Sequence, residues 1–139
     1  MFECGAQNPD SLVNSRKAKV MYEQIRKRRT DVINVHKNTG LSVEQCQAIK
    51  NYAFINMHIL HDGYRAFYPD FAMASSWMRL SEKSGKNIKT HDVVMLYHEL
   101  TELTLLLRNT SMNQSTAHSL ANKKYDYSKA CKAYYGNHT

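Results

Sequence analysis

Turn-forming residues are scarce in this chain. Its 139 residues hold five glycines and two prolines, Pro9 and Pro69, whereas a sandwich or barrel of many short strands needs a breaker roughly every 8–12 residues. Helices are therefore favoured before any periodicity is read, and the length suits one hydrophobic core, not two. The expectation is an all-α, compact single-domain bundle of about six or seven helices.

The apolar spacing supports this. Ala18, Met21, Tyr22 and Ile25 recur at i, i+3, i+4 and i+7, which predicts a helix over residues 10–29 with Asp10 or Ser11 as its cap. A short helix from Thr30 should close at Gly40. Ser42 and Gln45 then form a capping box for a third helix carrying Val43, Cys46, Ile49, Ala53 and Met57. Residues 61–70, rich in aromatic and polar groups, read as a loop. Asp70 should cap a fourth helix with Met73, Ala74, Trp77 and Leu80 on one face, and Thr90 a fifth. In that fifth helix Val93, Leu96, Tyr97, Leu100, Leu103 and Leu107 form the cleanest apolar arc of the chain. They predict the spine of the core, with His91, His98 and Glu102 on the opposite, solvated side. Two shorter helices are expected near residues 116–123 and 128–135.

Charge narrows the partners. The chain carries 19 basic and 12 acidic residues, a net charge of +7. Between residues 16 and 29, Arg16, Lys17, Lys19, Arg26, Lys27, Arg28 and Arg29 face Glu23 alone, so +6 of the total sits in one stretch. Charge of this kind attracts polyanions, nucleic acid first, with a membrane surface or an acidic protein as competing partners. No segment approaches the ~20 apolar residues of a membrane span, and the first residues lack the pattern of a signal peptide. Cys4, Cys46 and Cys131 show no CxxC spacing. Neither a disulfide framework nor a cysteine zinc site is indicated, and a reducing site of action is expected.

Cutting RNA without metal requires a base for the 2′-hydroxyl proton, an acid for the leaving 5′-oxygen and a cation for the phosphorane charge. Lys50, His58, His61, Arg65, Arg79, His98, Glu99, Glu102 and His118 are residues of these types. Two other chemistries compete. Residues 30–54 have the cadence of a helix-turn-helix, although the second helix offers only Lys50 as a cation beside Glu44, Gln45 and Gln47. His98-Glu99-Leu100-Thr101-Glu102 resembles the zinc motif HExxH with glutamate at the second ligand position and no obvious third ligand. That would make a metal-dependent hydrolase on His98 and Glu102.

Four stretches, TGLSVEQCQAIKNYAFINMHIL, GYRAFYPDFAMASSWMRL, KTHDVVMLYHELTELTLL and TAHSLANKKYDYSKA, together resemble a family of helical toxin domains. These are the C-terminal domains of bacterial polymorphic toxins, including contact-dependent growth inhibition proteins; similar domains end some phage head proteins. The matching positions are Lys50, His58, Phe67, Pro69, Asp70, Trp77, Arg79, Leu80, Asp92, His98, Glu99, Glu102 and His118. Where the resemblance calls for a histidine two residues after Lys50, this chain has Tyr52. The likeness spans residues 39–127, with a basic helical part (1–38) before it and a helix or tail (128–139) after it.

The resemblance implies a toxin exported as part of a larger effector, acting in the target-cell cytoplasm and neutralised by a cognate immunity protein. It also implies a ribonuclease, with transfer RNA as substrate and a target-cell factor as a possible activator. On this reading His98 with Glu99 or Glu102 is the acid–base pair, and Lys50, His58 and Arg79 orient or neutralise the phosphate. Tyr52, His61, Arg65, Asp70, His118, Lys123 and Lys124 contact substrate, and no metal or cofactor takes part. The alternatives are a non-catalytic helix-turn-helix or phage structural domain, and the metal-dependent hydrolase.

Overall fold

A computed structural model describes residues 12–136. Its order is α1 (Leu12–Lys27), α2 (Asp31–Thr39), α3 (Val43–Lys50), a hairpin of β1 (Met57–Leu60) and β2 (Gly63–Ala66), α4 (Phe71–Leu80), α5 (Thr90–Arg108), α6 (Gln114–Lys124) and α7 (Tyr127–Gly136). The mostly helical fold class is as expected. So are most of the helix ends. Gly40 closes α2 in the left-handed region at φ 81°, and Ser42 and Gln45 make the reciprocal capping box of α3. The Asp70 carboxylate accepts from the Met73 amide at 3.0 Å. The cap expected at Asp10 or Ser11 lies outside the described residues. Thr90 is the first residue of α5 and not its cap; the Asp92 carboxylate instead accepts from the Lys89 amide at 2.9 Å.

Two expectations fail between residues 50 and 66. The third helix does not run on to Met57. After Lys50 it widens into a π-helical turn, Asn51–Ile55, closed by a bond of 2.7 Å from the Asn56 amide to the Asn51 carbonyl. The turn buries Tyr52, Ala53 and Phe54 in succession, which a regular helix at about 100° per residue cannot do on one face. The expected loop then begins as a strand pair, with Met57 opposite Ala66 and Ile59 opposite Tyr64. This pairing puts Met57, Ile59 and Tyr64 on one exposed face and His58 and Arg65 on the other.

One apolar cluster joins helices α1–α5 and α7, from Tyr22 and Ile25 of α1 through Trp77 of α4 and Leu96 of α5 to Cys131 of α7. α5 lies at its centre, packed by α3, α4, α6 and α7. Here the amphipathic reading is overturned. Leu107 is 77% exposed, while His91, Asp92, His98, Glu99 and Glu102 are buried, Glu102 to 2%. Packed by α3, α4, α6 and α7, the helix buries its polar stripe, in which Asp92, His98 and Glu102 find hydrogen-bond partners. Among the described residues no helix is long and apolar enough to cross a membrane. Cys46 is buried and free, whereas Cys131 is disulfide-bonded, although the cysteine spacing indicated no disulfide framework.

Candidate functional site

Glu102, in the middle of α5, is the hub of the site. The π-helical turn aims the Tyr52 hydroxyl at its Oε1, and Gln114, at the start of α6, donates to the same oxygen at 2.9 Å. Its other oxygen, Oε2, lies 2.9 Å from His98 Nε2 and 3.1 Å from His118 Nδ1. His98 is one turn before Glu102, so helical spacing alone makes them neighbours. His118 arrives on α6, which docks along α5. Burial alone would raise the Glu102 pKa, but the hydrogen bonds from His118, His98, Tyr52 and Gln114 outweigh it and hold the carboxyl well below the usual range. Glu102 is a buried carboxylate.

The histidines differ in exposure and in role. The Tyr125 carbonyl accepts from His98 Nδ1 at 2.9 Å, while Nε2 faces Glu102 and, at 3.2 Å, His118 Nδ1. The His118 side chain is 51% exposed and its outer Nε2 lies 3.3 Å from the Asn122 amide. The hydrogen bond to Glu102 raises the His118 pKa against the opposing effect of burial.

Glu99 shares the buried face of α5. Burial, then the negative charges of Glu102 and Asp70, push its carboxyl well above the ordinary range, so the acidities of the two neighbouring carboxyls are driven apart. This is the separation of roles that acid–base chemistry needs. His118, Glu99 and Asp70 also border two adjoining hollows of about 270 and 380 Å³. The first is lined further by Tyr22, His61, Arg65 and Tyr68, the second by His98, Asn122 and Ser128. Arg65 is held bidentately by Asp62 at 3.1 Å and its guanidinium stacks 3.5 Å above the Tyr68 ring, which is 68% exposed. Such a stack offers a platform for a base and a cation for a phosphate.

The structure thus brings together Tyr52, His61, Arg65, Asp70, His98, Glu99, Glu102 and His118. It places the expected phosphate-binding trio elsewhere. Lys50 is 4% exposed, its ammonium 2.9 Å from Asp31 Oδ2 and 2.9 Å from the Arg28 carbonyl, and Asp31 also accepts from Trp77 Nε1 at 3.0 Å. This is an internal ion pair tying α2, α3 and α4. Arg79 holds Asp92 through two bonds of 2.7 Å, with Ser76 on the same carboxylate at 2.6 Å, a second buried network near the start of α5. His58 donates from Nε2 to the Tyr52 carbonyl at 2.8 Å and stacks on Phe67 at 4.1 Å, so it anchors the hairpin beneath Tyr52. Lys123 and Lys124 are exposed at the end of α6, just beyond Asn122.

Sequence reasoning missed Gln114, Tyr22 and Tyr68. Tyr22 had a signal, since it sits in the basic helix with the flank of cations beside it. At about 100° per residue, Lys19, Arg26, Arg16 and Lys27 fall in one arc bordering Tyr22, and all four are exposed. The helix-turn-helix reading loses its cation, because α3 exposes Glu44, Gln45 and Gln47 while Lys50 is buried. His98, Glu102 and His118 also supply the third ligand that the metal reading lacked, their ligand atoms lying within 4.8 Å of one another. No family model matches the chain, and no curated protein or solved structure is significantly similar to it.

Proposed function

We propose that this chain is an antibacterial toxin domain, a ribonuclease that cleaves RNA, transfer RNA above all, by metal-independent transphosphorylation. One observation carries the reading: a solvent-reaching histidine, His118, hydrogen-bonded to the buried Glu102 carboxylate and sharing a cleft with Glu99, whose carboxyl is held by burial well above the ordinary range. With its Nδ1 proton directed to Glu102, His118 carries its lone pair on Nε2, where a 2′-hydroxyl replaces the Asn122 amide that lines the same cleft, as in other base–carboxylate pairs. Nε2 takes the proton of a ribose 2′-hydroxyl. The 2′-oxygen attacks phosphorus, the bond to the 5′-oxygen breaks, and Glu99 gives that oxygen its proton. The products are a 2′,3′-cyclic phosphate and a free 5′-hydroxyl, and solvent returns both groups to their starting states.

Glu102 has donors on both oxygens, so it positions His118 and balances the imidazolium as it forms. His98 braces Glu102 from the Tyr125 carbonyl. His61 and Arg65 take the phosphate-neutralising part once expected of Lys50, His58 and Arg79, and Tyr68 offers a face for a base. Transfer RNA as substrate, delivery within a larger effector into the target-cell cytoplasm, and neutralisation by an immunity protein follow from the likeness to polymorphic-toxin domains. An acidic immunity partner complements the +7 charge. Purified chain incubated with total RNA, with and without chelator, tests the reading on a denaturing gel. The expected result is discrete cleavage, unaffected by chelator and abolished in His118→Ala. Intact RNA, with target-cell extract added to supply any activator, overturns it.

A further inference from the structure

The same three side chains have a second use that proton chemistry leaves aside. We propose that His98 Nε2, His118 Nδ1 and Glu102 Oε2 form a site for a divalent transition metal of the zinc class, its fourth position open to the cleft. The three atoms are 2.9, 3.1 and 3.2 Å apart, and each offers a lone pair to an ion placed between them once the protons they share are displaced. The contact between His98 Nε2 and Glu102 Oε2 needs a positive species between them, a proton or a metal. In tetrahedral zinc sites the bonds of ~2.0–2.1 Å set neighbouring ligand atoms ~3.3–3.4 Å apart, so the trio admits an ion by opening a few tenths of an ångström.

The surroundings are those of a built site. The Tyr125 carbonyl holds His98 in the tautomer that frees Nε2, the outer-shell arrangement that orients metal-bound histidines. Tyr52 and Gln114 occupy Oε1 of Glu102 and leave Oε2 to face the imidazoles. Two imidazoles and one carboxylate suit zinc and its neighbours over magnesium or calcium, which prefer oxygen donors.

The two uses exclude each other through the His118 tautomer. A metal on Nδ1 places the remaining proton on Nε2, with the Asn122 amide turned to offer its oxygen, and Nε2 then has no lone pair for a 2′-hydroxyl. Zinc is therefore an inhibitor. The site stands on this geometry alone, while its inhibitory effect rests on the nuclease reading.

Cobalt(II) titrated into the metal-free full chain is the test. One equivalent should give the intense visible bands of a four-coordinate ion, bleached by added zinc. In His118→Ala, whose half-exposed position keeps the helical spectrum of the chain although a hydrogen bond to Glu102 is lost, affinity should fall at least tenfold. No saturable cobalt spectrum, or equal binding in His118→Ala, overturns the site. Zinc that binds and suppresses RNA cleavage, with recovery on chelation, supports both parts. Zinc that binds and accelerates cleavage keeps the site and overturns the inhibition. Binding without cleavage in any state keeps the site and overturns the nuclease.

Discussion

The chemistry assigned to His118 and Glu99 can be separated by pH. His118 must be neutral to accept a proton, and its hydrogen bond to Glu102 moves its pKa above 6.5; the rate therefore rises with pH over a range lying above 6.5. Glu99 must be protonated to act as acid, and burial beside Glu102 and Asp70 holds it well above 4.5, so the rate falls again as Glu99 ionises. Glu99→Gln should abolish the falling limb and lower the maximum by about 10²–10⁴-fold, the usual range for a general acid. A falling limb that survives in Glu99→Gln assigns the acid to another group. The same residues set the stability profile. Glu102 has a carboxyl pKa lowered on folding from 4.5, so its contribution is present above pH 4.5 and is lost as the pH falls through the folded value. Urea unfolding of the wild type should weaken on acidification below pH 4.5, and Glu102→Gln should flatten that dependence. Parallel curves for the two proteins would remove Glu102 from the account.

The elements explain which of these residues could be read in advance. Helix ends were legible because their signals are local: Gly40, the Ser42–Gln45 box and Asp70 act within four residues of themselves. The pairing of His98 with Glu102 was legible for the same reason. What a linear pattern does not encode is which side of α5 meets other helices, and a stripe of carboxylates and imidazoles looks solvated until Tyr52, Gln114 and His118 arrive from other elements to satisfy it. The hairpin was hidden because Met57–Leu60 and Gly63–Ala66 are four-residue strands, too short for alternation to stand out. Lys50 was misread on similar grounds, since an isolated helix lysine gives no sign of a buried partner 19 positions earlier. Its role as a tie between elements is testable. Lys50→Ala leaves Asp31 buried without its counter-ion and should cost about 3–5 kcal/mol in urea unfolding, with cleavage per folded molecule unchanged. A stable but inactive Lys50→Ala would return Lys50 to the chemistry.

At the scale of the whole molecule, the charge and the cleft have to be one device if RNA is the substrate. α1 links them: Tyr22 lines the cleft, Ala18 and Ile25 anchor the helix in the core, and Arg16, Lys19, Arg26 and Lys27 stand exposed along the flank beside Tyr22. A backbone that enters the cleft is then expected to follow this flank, releasing counter-ions as it binds. Each phosphate contact on a single strand adds about 0.7 to the slope of log affinity against log salt. Replacing Arg16, Lys19 and Lys27 by glutamine should therefore lower the slope by about 2, weaken RNA binding at every salt concentration, and leave the rate at saturating RNA unchanged, because none of the three lines the cleft. Net charge alone predicts something different. Lys37, Lys83 and Lys86 are equally exposed but belong to α2 and the α4–α5 connection, where Asn38 bonds the Leu80 and Glu82 carbonyls. Their replacement by glutamine removes the same charge from the opposite part of the sequence pattern. If RNA tracks along α1, this second triple variant keeps the wild-type salt slope; if the two variants lose equal slope, attraction is diffuse and α1 is not the path to His118.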